Sequence, residues 1–324
     1  MSMFKFALIL GIIFSIQIHS RSYIDYESPF HPTVGKSGMV VSQNYLSSDI
    51  GLEILNKGGN AVDAAVAVGF SLAITLPRAG NLGGGGFMLI YIKEKNEIYY
   101  IDYRSTSPLN SNLENIFDLV NTTDTPYEVV PKSFDDKKFD IVDTGYKASA
   151  VPGTVAGLLD AHANFGKLKL KDILEPVIAL AENGIQVSYD LHKAIESTPR
   201  LFNDPESQRI YFRDGKPIEE FSILKLPDLA NTFKLISKHG KDGFYKGETA
   251  MRIVEAMNKN NGLIAINDLK NYQADFRQPI STNYRGNKVF TACPPSGGGI
   301  TLLTALNILS FYDLQKFKSS SVKT

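Results

Sequence analysis

Apolar residues begin to recur at helical spacing at Tyr45: Leu46, Ile50, Ile54 and Leu55 share one side, Ser47 and Ser48 stand near a cap, and Gly58-Gly59 closes the helix. Asn60 is placed to cap a second helix, with Asp63 three positions on, where the positive end of the helix macrodipole favours an anion. Ala61, Ala64, Ala65, Ala67 and Val68 give that helix a small-residue surface for close packing, so it is predicted buried, ending near Thr75 ahead of Pro77. The period then switches from 3.6 to two. Residues 87–92 and 98–103 are rich in β-branched and aromatic side chains and flank a polar turn at 93–97, which predicts a hairpin. Alternation puts Ile98, Tyr100, Asp102 and Arg104 on one side of the second strand and Tyr99, Ile101 and Tyr103 on the other.

Between the second helix and the hairpin lies Asn81-Leu82-Gly83-Gly84-Gly85-Gly86. Such a run can offer successive backbone N–H groups to a phosphate. Nucleotide loops, however, lead from a strand into a helix and end in Gly-Lys-Ser/Thr, whereas this one leads from helix to strand and lacks that ending. Its expected role is a tight turn that lets helix and sheet approach closely. Residues 109–143 are polar and weakly periodic, a surface excursion that carries Asp135-Asp136-Lys137-Lys138 and the formal glycosylation triplet Asn121-Thr122-Thr123, a pattern that often arises by chance. Helices are predicted over 151–164 and 170–183, the second with Ile173, Leu174, Val177, Ile178 and Ala181 on one face and Gly184 as its C-terminal cap. Two more follow over 227–239 and 247–258. The segment 262–272 then introduces strands at 280–284 and 287–292, which lead through Pro294-Pro295-Ser296-Gly297-Gly298-Gly299 into a last helix over 300–309. The mixture is that of an α/β (α+β) chain without internal repeats.

The first 22 residues stand apart. Lys5 gives a positive start, 7–18 is an apolar run broken only by Ser15 and Gln17, and small residues follow at Ser20 and Ser22, which fits a secretory signal peptide, with an uncleaved anchor as the alternative. Cleavage would leave no stable membrane span and place the remainder in the periplasm or outside the cell. The 324 residues carry 34 Lys+Arg against 34 Asp+Glu, so the excess of positive charge that drives most nucleic-acid binding is missing. One cysteine, Cys293, excludes an intrachain disulfide and a multi-cysteine zinc site. With no histidine or positive cluster beside it in sequence, it is read as a small packed residue.

Six segments, taken in order, carry a resemblance: Gly38-Met39-Val40-Val41; Gly58-Gly59-Asn60-Ala61-Val62-Asp63-Ala64-Ala65; Gly83-Gly84-Gly85-Gly86-Phe87-Met88; Asp102-Tyr103-Arg104; Val151-Pro152-Gly153-Thr154; and Pro294-Pro295-Ser296-Gly297-Gly298. Together they resemble gamma-glutamyltransferases (gamma-glutamyltranspeptidases) over most of 38–313. The resemblance implies an N-terminal-nucleophile hydrolase-like αββα sandwich, two stacked sheets covered by helices. In that family a precursor cuts itself into two subunits. The new N-terminal threonine of the small subunit attacks the gamma-glutamyl amide of glutathione or other gamma-glutamyl compounds, and water or an acceptor amino acid or peptide resolves the acyl-enzyme. No metal or organic cofactor is implied.

One site residue transfers from the resemblance. Arg104 matches the arginine that grips the α-carboxylate of the glutamyl substrate, and a guanidinium offers the planar fork that holds a carboxylate bidentately. The structural alternative is an ion pair with Asp102 on the same strand face. Ser105 stands where many members carry an acidic residue, which changes the local hydrogen bonding expected around Arg104 but not its charge. No catalytic residue transfers: the family's nucleophile lies in a Thr-Thr-His-x-Ser type sequence, and Thr122-Thr123 is followed by Asp124. The expected organisation is a leader over 1–22, the large-subunit portion over 23–313 and a polar tail over 314–324. The sandwich is incomplete because the small-subunit region is absent. Either a second chain supplies that region or the chain is a noncatalytic remnant. A superfamily relative acting on acylated antibiotics is disfavoured by Arg104, which suits a free α-carboxylate.

Overall fold

The structure, a computed structural model, describes residues 34–112 and 145–316. The leader, most of the 109–143 excursion with its Asn121-Thr122-Thr123 triplet, and most of the polar tail lie outside the described residues. The chain divides into two compact units, 1–39 and 40–324. Of the first, only 34–39 are described, and they are irregular.

In the second unit the predicted helical hairpin is present as α1 (Tyr45–Asn56) and α2 (Ala61–Thr75). The cap of α1 is Asn44, whose side chain accepts from the Leu46 N–H, not Ser47 or Ser48. Ser47 is instead fully buried and shares a 2.8 Å hydrogen bond with Thr75 at the far end of α2. Asn60 caps α2 as expected, in a reciprocal arrangement in which Asp63 accepts from the Asn60 N–H. Asp63 goes further: completely buried, its carboxylate also accepts from the backbone N–H groups of Lys167 and Leu168, so it clamps a connection about a hundred residues away in sequence onto the start of α2. Most of α2 is buried, but Ala61 and Ala65 face outward, since even a central helix keeps one narrow stripe in solvent.

Helix α3 (Thr154–Phe165) is the second central element, with every residue from Val151 to Leu159 buried. It starts three residues later than its periodicity suggests because Val151 is held extended in a bridge to Thr106. Helix α4 (Leu170–Asn183) buries Ile173, Leu174, Val177 and Ala181 against α2 and α5 (Pro227–His239), and the edge-to-face pair Phe70–Phe233, 5.9 Å between centroids, joins α2 to α5 at about 0.5–1.5 kcal/mol beyond burial. Helix α6 (Gly247–Lys259) follows.

The hairpin is β1 (Phe87–Ile92) and β2 (Glu97–Asp102), in register Phe87↔Asp102 and Leu89↔Tyr100. Its other edge is occupied by β3 (Asp275–Arg277), antiparallel to β2 with Tyr100↔Arg277 and Asp102↔Asp275. The segment 262–272 contains a short helix α7 (Ile266–Asn271), which anchors the approach to β3: Asp268 accepts from the Ala265 N–H and, at 2.7 Å, from the Leu109 N–H. A separate hairpin, β4 (Ile280–Tyr284) with β5 (Asn287–Thr291), carries the last helix α8 (Gly297–Leu309), whose first turn is formed by the glycines themselves. Among the described residues no helix is long and apolar enough to cross a membrane.

Candidate functional site

Arg104 lies just beyond β2, where the three-stranded sheet meets the glycine run and the start of α3. The run is the close-packed turn expected of it. A Cβ on Gly85 would lie 2.4 Å from the Ser105 nitrogen and 2.6 Å from the Tyr103 carbonyl oxygen, so only a glycine lets this backbone lie directly on the strand end. Gly86 and Tyr103 extend the hairpin by exchanging backbone hydrogen bonds. The Gly84 carbonyl accepts from the N–H groups of both Gly153 and Thr154, satisfying donors at the start of α3 that have no side-chain cap. Opposite, a Cβ on Gly157 would overlap the Tyr103 ring at 2.0 Å, so the ring is seated directly on the α3 backbone. Burial there pushes the Tyr103 phenol up to about 12.

Two polar contacts then hold Arg104 by its backbone and leave its head free. Its N–H donates to Asp102 Oδ1 at 3.1 Å, and its carbonyl accepts from the Tyr272 hydroxyl at 2.9 Å. Tyr272 stacks on Tyr245 with ring planes only 7° apart, and the Tyr245 hydroxyl donates to the Pro152 carbonyl and accepts from the Ala156 N–H. Burial first, and then the carboxylates of Asp102 and Asp275, push the Tyr272 phenol well above its ordinary value. The remaining oxygen of Asp102, Oδ2, is taken by Arg277 Nη1 at 2.9 Å. The ion pair between Asp102 and Arg104 that the strand pattern allowed is therefore not formed. Among the described residues nothing accepts from the Arg104 guanidinium, which is exposed. Arg277 Nη1 also donates to the Pro294 carbonyl at 2.7 Å, joining the sheet to the Pro294-Pro295 turn ahead of α8. A free guanidinium on a backbone fixed at both ends can receive a carboxylate bidentately without first breaking an internal pair.

Cys293 is buried, as its sequence setting suggested, and lies near Tyr100, whose phenol is pushed up to about 12, chiefly by burial and next by Asp102. Among the described residues no group of three or more His, Cys, Asp or Glu side chains is placed to hold a metal ion. Sequence reading singled out Arg104 but gave no sign of Arg277 and Tyr272, whose partners lie 175 and 168 positions away.

The mixed helix-and-strand architecture is that of solved gamma-glutamyltranspeptidases, which are N-terminal-nucleophile hydrolases. The model of the family described as Gamma-glutamyltranspeptidase matches residues 47–324, the tail included. The glutathione hydrolase proenzyme of Escherichia coli is 39% identical over 298 residues, which are 91% of this chain and 49% of that protein. The solved gamma-glutamyltranspeptidase of Helicobacter pylori superposes with a TM-score of 0.80 at 34% identity, covering 90% of this chain and 80% of that one. The Pseudomonas nitroreducens gamma-glutamyltranspeptidase complexed with L-DON gives 0.76 at 36%, covering 90% and 82%. The chain belongs to the gamma-glutamyltranspeptidase family. It spans about half the length of the curated relatives it matches.

Proposed function

We propose that the chain supplies the large-subunit half of a gamma-glutamyltransferase and glutathione hydrolase, and that Arg104 holds the α-carboxylate of the gamma-glutamyl donor. The observation that carries this reading is the free Arg104 guanidinium on a backbone anchored by Asp102 and Tyr272. The contribution of these residues is positional. Fixing the α-carboxylate fixes the reach of the donor's gamma-amide, so that a hydroxyl nucleophile meets it in one orientation, and acyl transfer to water or an acceptor amine follows.

The 324 residues contain no Thr-Thr-His sequence, so the nucleophile and the donors that stabilise its oxyanion come from a small-subunit region outside them, and these residues alone do not catalyse. Apolar surface supports such a partner. Ile300, Leu302, Ile308 and Leu309 of α8 are 36–53% exposed, and Leu89 and Tyr91 lie open on β1, an edge strand among the described residues. The leader supports export to the periplasm or beyond the cell. The same missing sequence favours a second reading, a noncatalytic remnant that at most binds gamma-glutamyl compounds.

Release of a chromogenic amine from a gamma-glutamyl anilide separates the two. The first reading expects no turnover by the purified chain, turnover once the family's small-subunit region is added as a separate polypeptide, and loss of that turnover with Arg104→Ala. No turnover in either case makes the chain a remnant.

A further inference from the structure

We propose that Arg277 is a positioning residue whose task is to occupy Asp102, so that the Arg104 guanidinium stays available for a substrate carboxylate; the inference rests on the carboxylate-binding role of Arg104. Asp102 and Arg104 are two apart at the end of one strand, on the same face. The Asp102 carboxylate already reaches the Arg104 backbone, with Oδ1 3.1 Å from its nitrogen. The Asp102 side chain is only 10% exposed, and a carboxylate so little hydrated draws the nearest cation. Its direct cross-strand partner is another acid, Asp275, which repels it and cannot satisfy it. With Arg277 removed, Arg104 is the cation two residues away on the same strand face.

Arg277 prevents that collapse by geometry. It pairs directly with Tyr100, one step along the face from Asp102, so its side chain crosses the diagonal to Asp102 Oδ2 at 2.9 Å. The same Nη1 donates to the Pro294 carbonyl, so both of its hydrogens are engaged and the arginine is already paired with a carboxylate. Two arginines thus share one strand end with divided tasks. Arg277 is spent on contacts within the protein, although part of its side chain lies in solvent, whereas the Arg104 guanidinium makes none among the described residues.

Arginine modification by phenylglyoxal, mapped by mass spectrometry on the full chain, tests this without requiring turnover. In the wild type Arg104 is labelled readily and Arg277 slowly. In Arg277→Met, Asp102 turns to Arg104 and its labelling falls by about threefold to fivefold, as expected for a partly exposed ion pair. The double variant Arg277→Met/Asp102→Asn restores wild-type labelling of Arg104, a rescue that simple loss of packing does not produce. A variant that fails to fold is recognised by loss of its helical circular dichroism. In that event Arg277→Gln, which keeps a donor for the Pro294 carbonyl, carries the same expectation. Unchanged or raised Arg104 labelling in a folded Arg277 variant, or a double variant no different from the single one, overturns the proposal. Protection of wild-type Arg104 by L-glutamate is a separate arm: its failure counts against the carboxylate role of Arg104, whereas the labelling changes decide the role of Arg277.

Discussion

Around Arg104 the energetics depend on a few contacts with little tolerance. The Tyr103 ring rests on the backbone of Gly157, where a Cβ would overlap it at 2.0 Å. Gly157→Ala is therefore expected to lower stability by about 1–3 kcal/mol and to shift the strand end, seen as a lower urea midpoint and lost protection of Arg104 by L-glutamate. Tyr272→Phe removes the donor to the Arg104 carbonyl and is expected to cost about 1 kcal/mol in the same unfolding measurement. The buried phenols also set an alkaline limit. Tyr100 and Tyr103 are held up to about 12, and Tyr245 is displaced in the same direction by its burial. In the unfolded chain tyrosine ionises near about 10, so above that pH the unfolded state binds fewer protons than the native one and stability falls as pH rises. The stability contributed by these groups is complete below about pH 10 and is lost as the pH climbs toward 12. Phenolate absorbance is expected to show these tyrosines titrating only together with unfolding; smooth titration at ordinary values in folded protein would contradict their burial.

Among the elements, those whose own residues carry their signal were legible. The capped start of α2 at Asn60 and Asp63, the apolar face of α4 and the β1–β2 hairpin all follow from local periodicity. The glycine run was legible because it joins a helix to a strand in the wrong order for a phosphate loop. The third strand of the sheet was not legible: Asp275–Arg277 is three residues long and exposed throughout, so it has no alternation to read, and its pairing with β2 is decided across the sheet. Helix α7 was missed for a similar reason, one and a half turns being too few to show a period. Arg277 fell with β3, since only the pairing reveals its partner. Asp63 illustrates the same limit. Its capping role could be read locally, whereas its acceptance of the Lys167 and Leu168 N–H groups could not. Asp63→Ala leaves those part-buried donors without their acceptor and is expected to cost about 1–3 kcal/mol, with faster hydrogen exchange at Lys167 and Leu168 as its local signature. Slow exchange there in the folded variant would show that other acceptors serve.

For the whole molecule, the apolar face of α8 and the open β1 edge lead to an expectation about behaviour in isolation. Only Gly299 of α8 is buried, although the helix is apolar for most of its length. The purified chain is expected to bind hydrophobic dyes and to aggregate at low micromolar concentration, and a cooperative, high-temperature melt of monomer would contradict this. Pairing with the proposed small-subunit region is expected to suppress both dye binding and aggregation. That pairing also permits the most direct test of the central claim, that Arg104 reads the substrate's α-carboxylate. In the complemented enzyme, kcat/KM is compared between a gamma-glutamyl anilide and the 4-aminobutyryl anilide, which lacks that carboxylate, for the wild type and for Arg104→Ala. The account predicts a wild-type preference of about 100-fold or more for the gamma-glutamyl compound, in line with a charge-assisted bidentate pair, and near-equal use of the two by the variant. A preference that survives Arg104→Ala would place carboxylate recognition elsewhere and contradict the account.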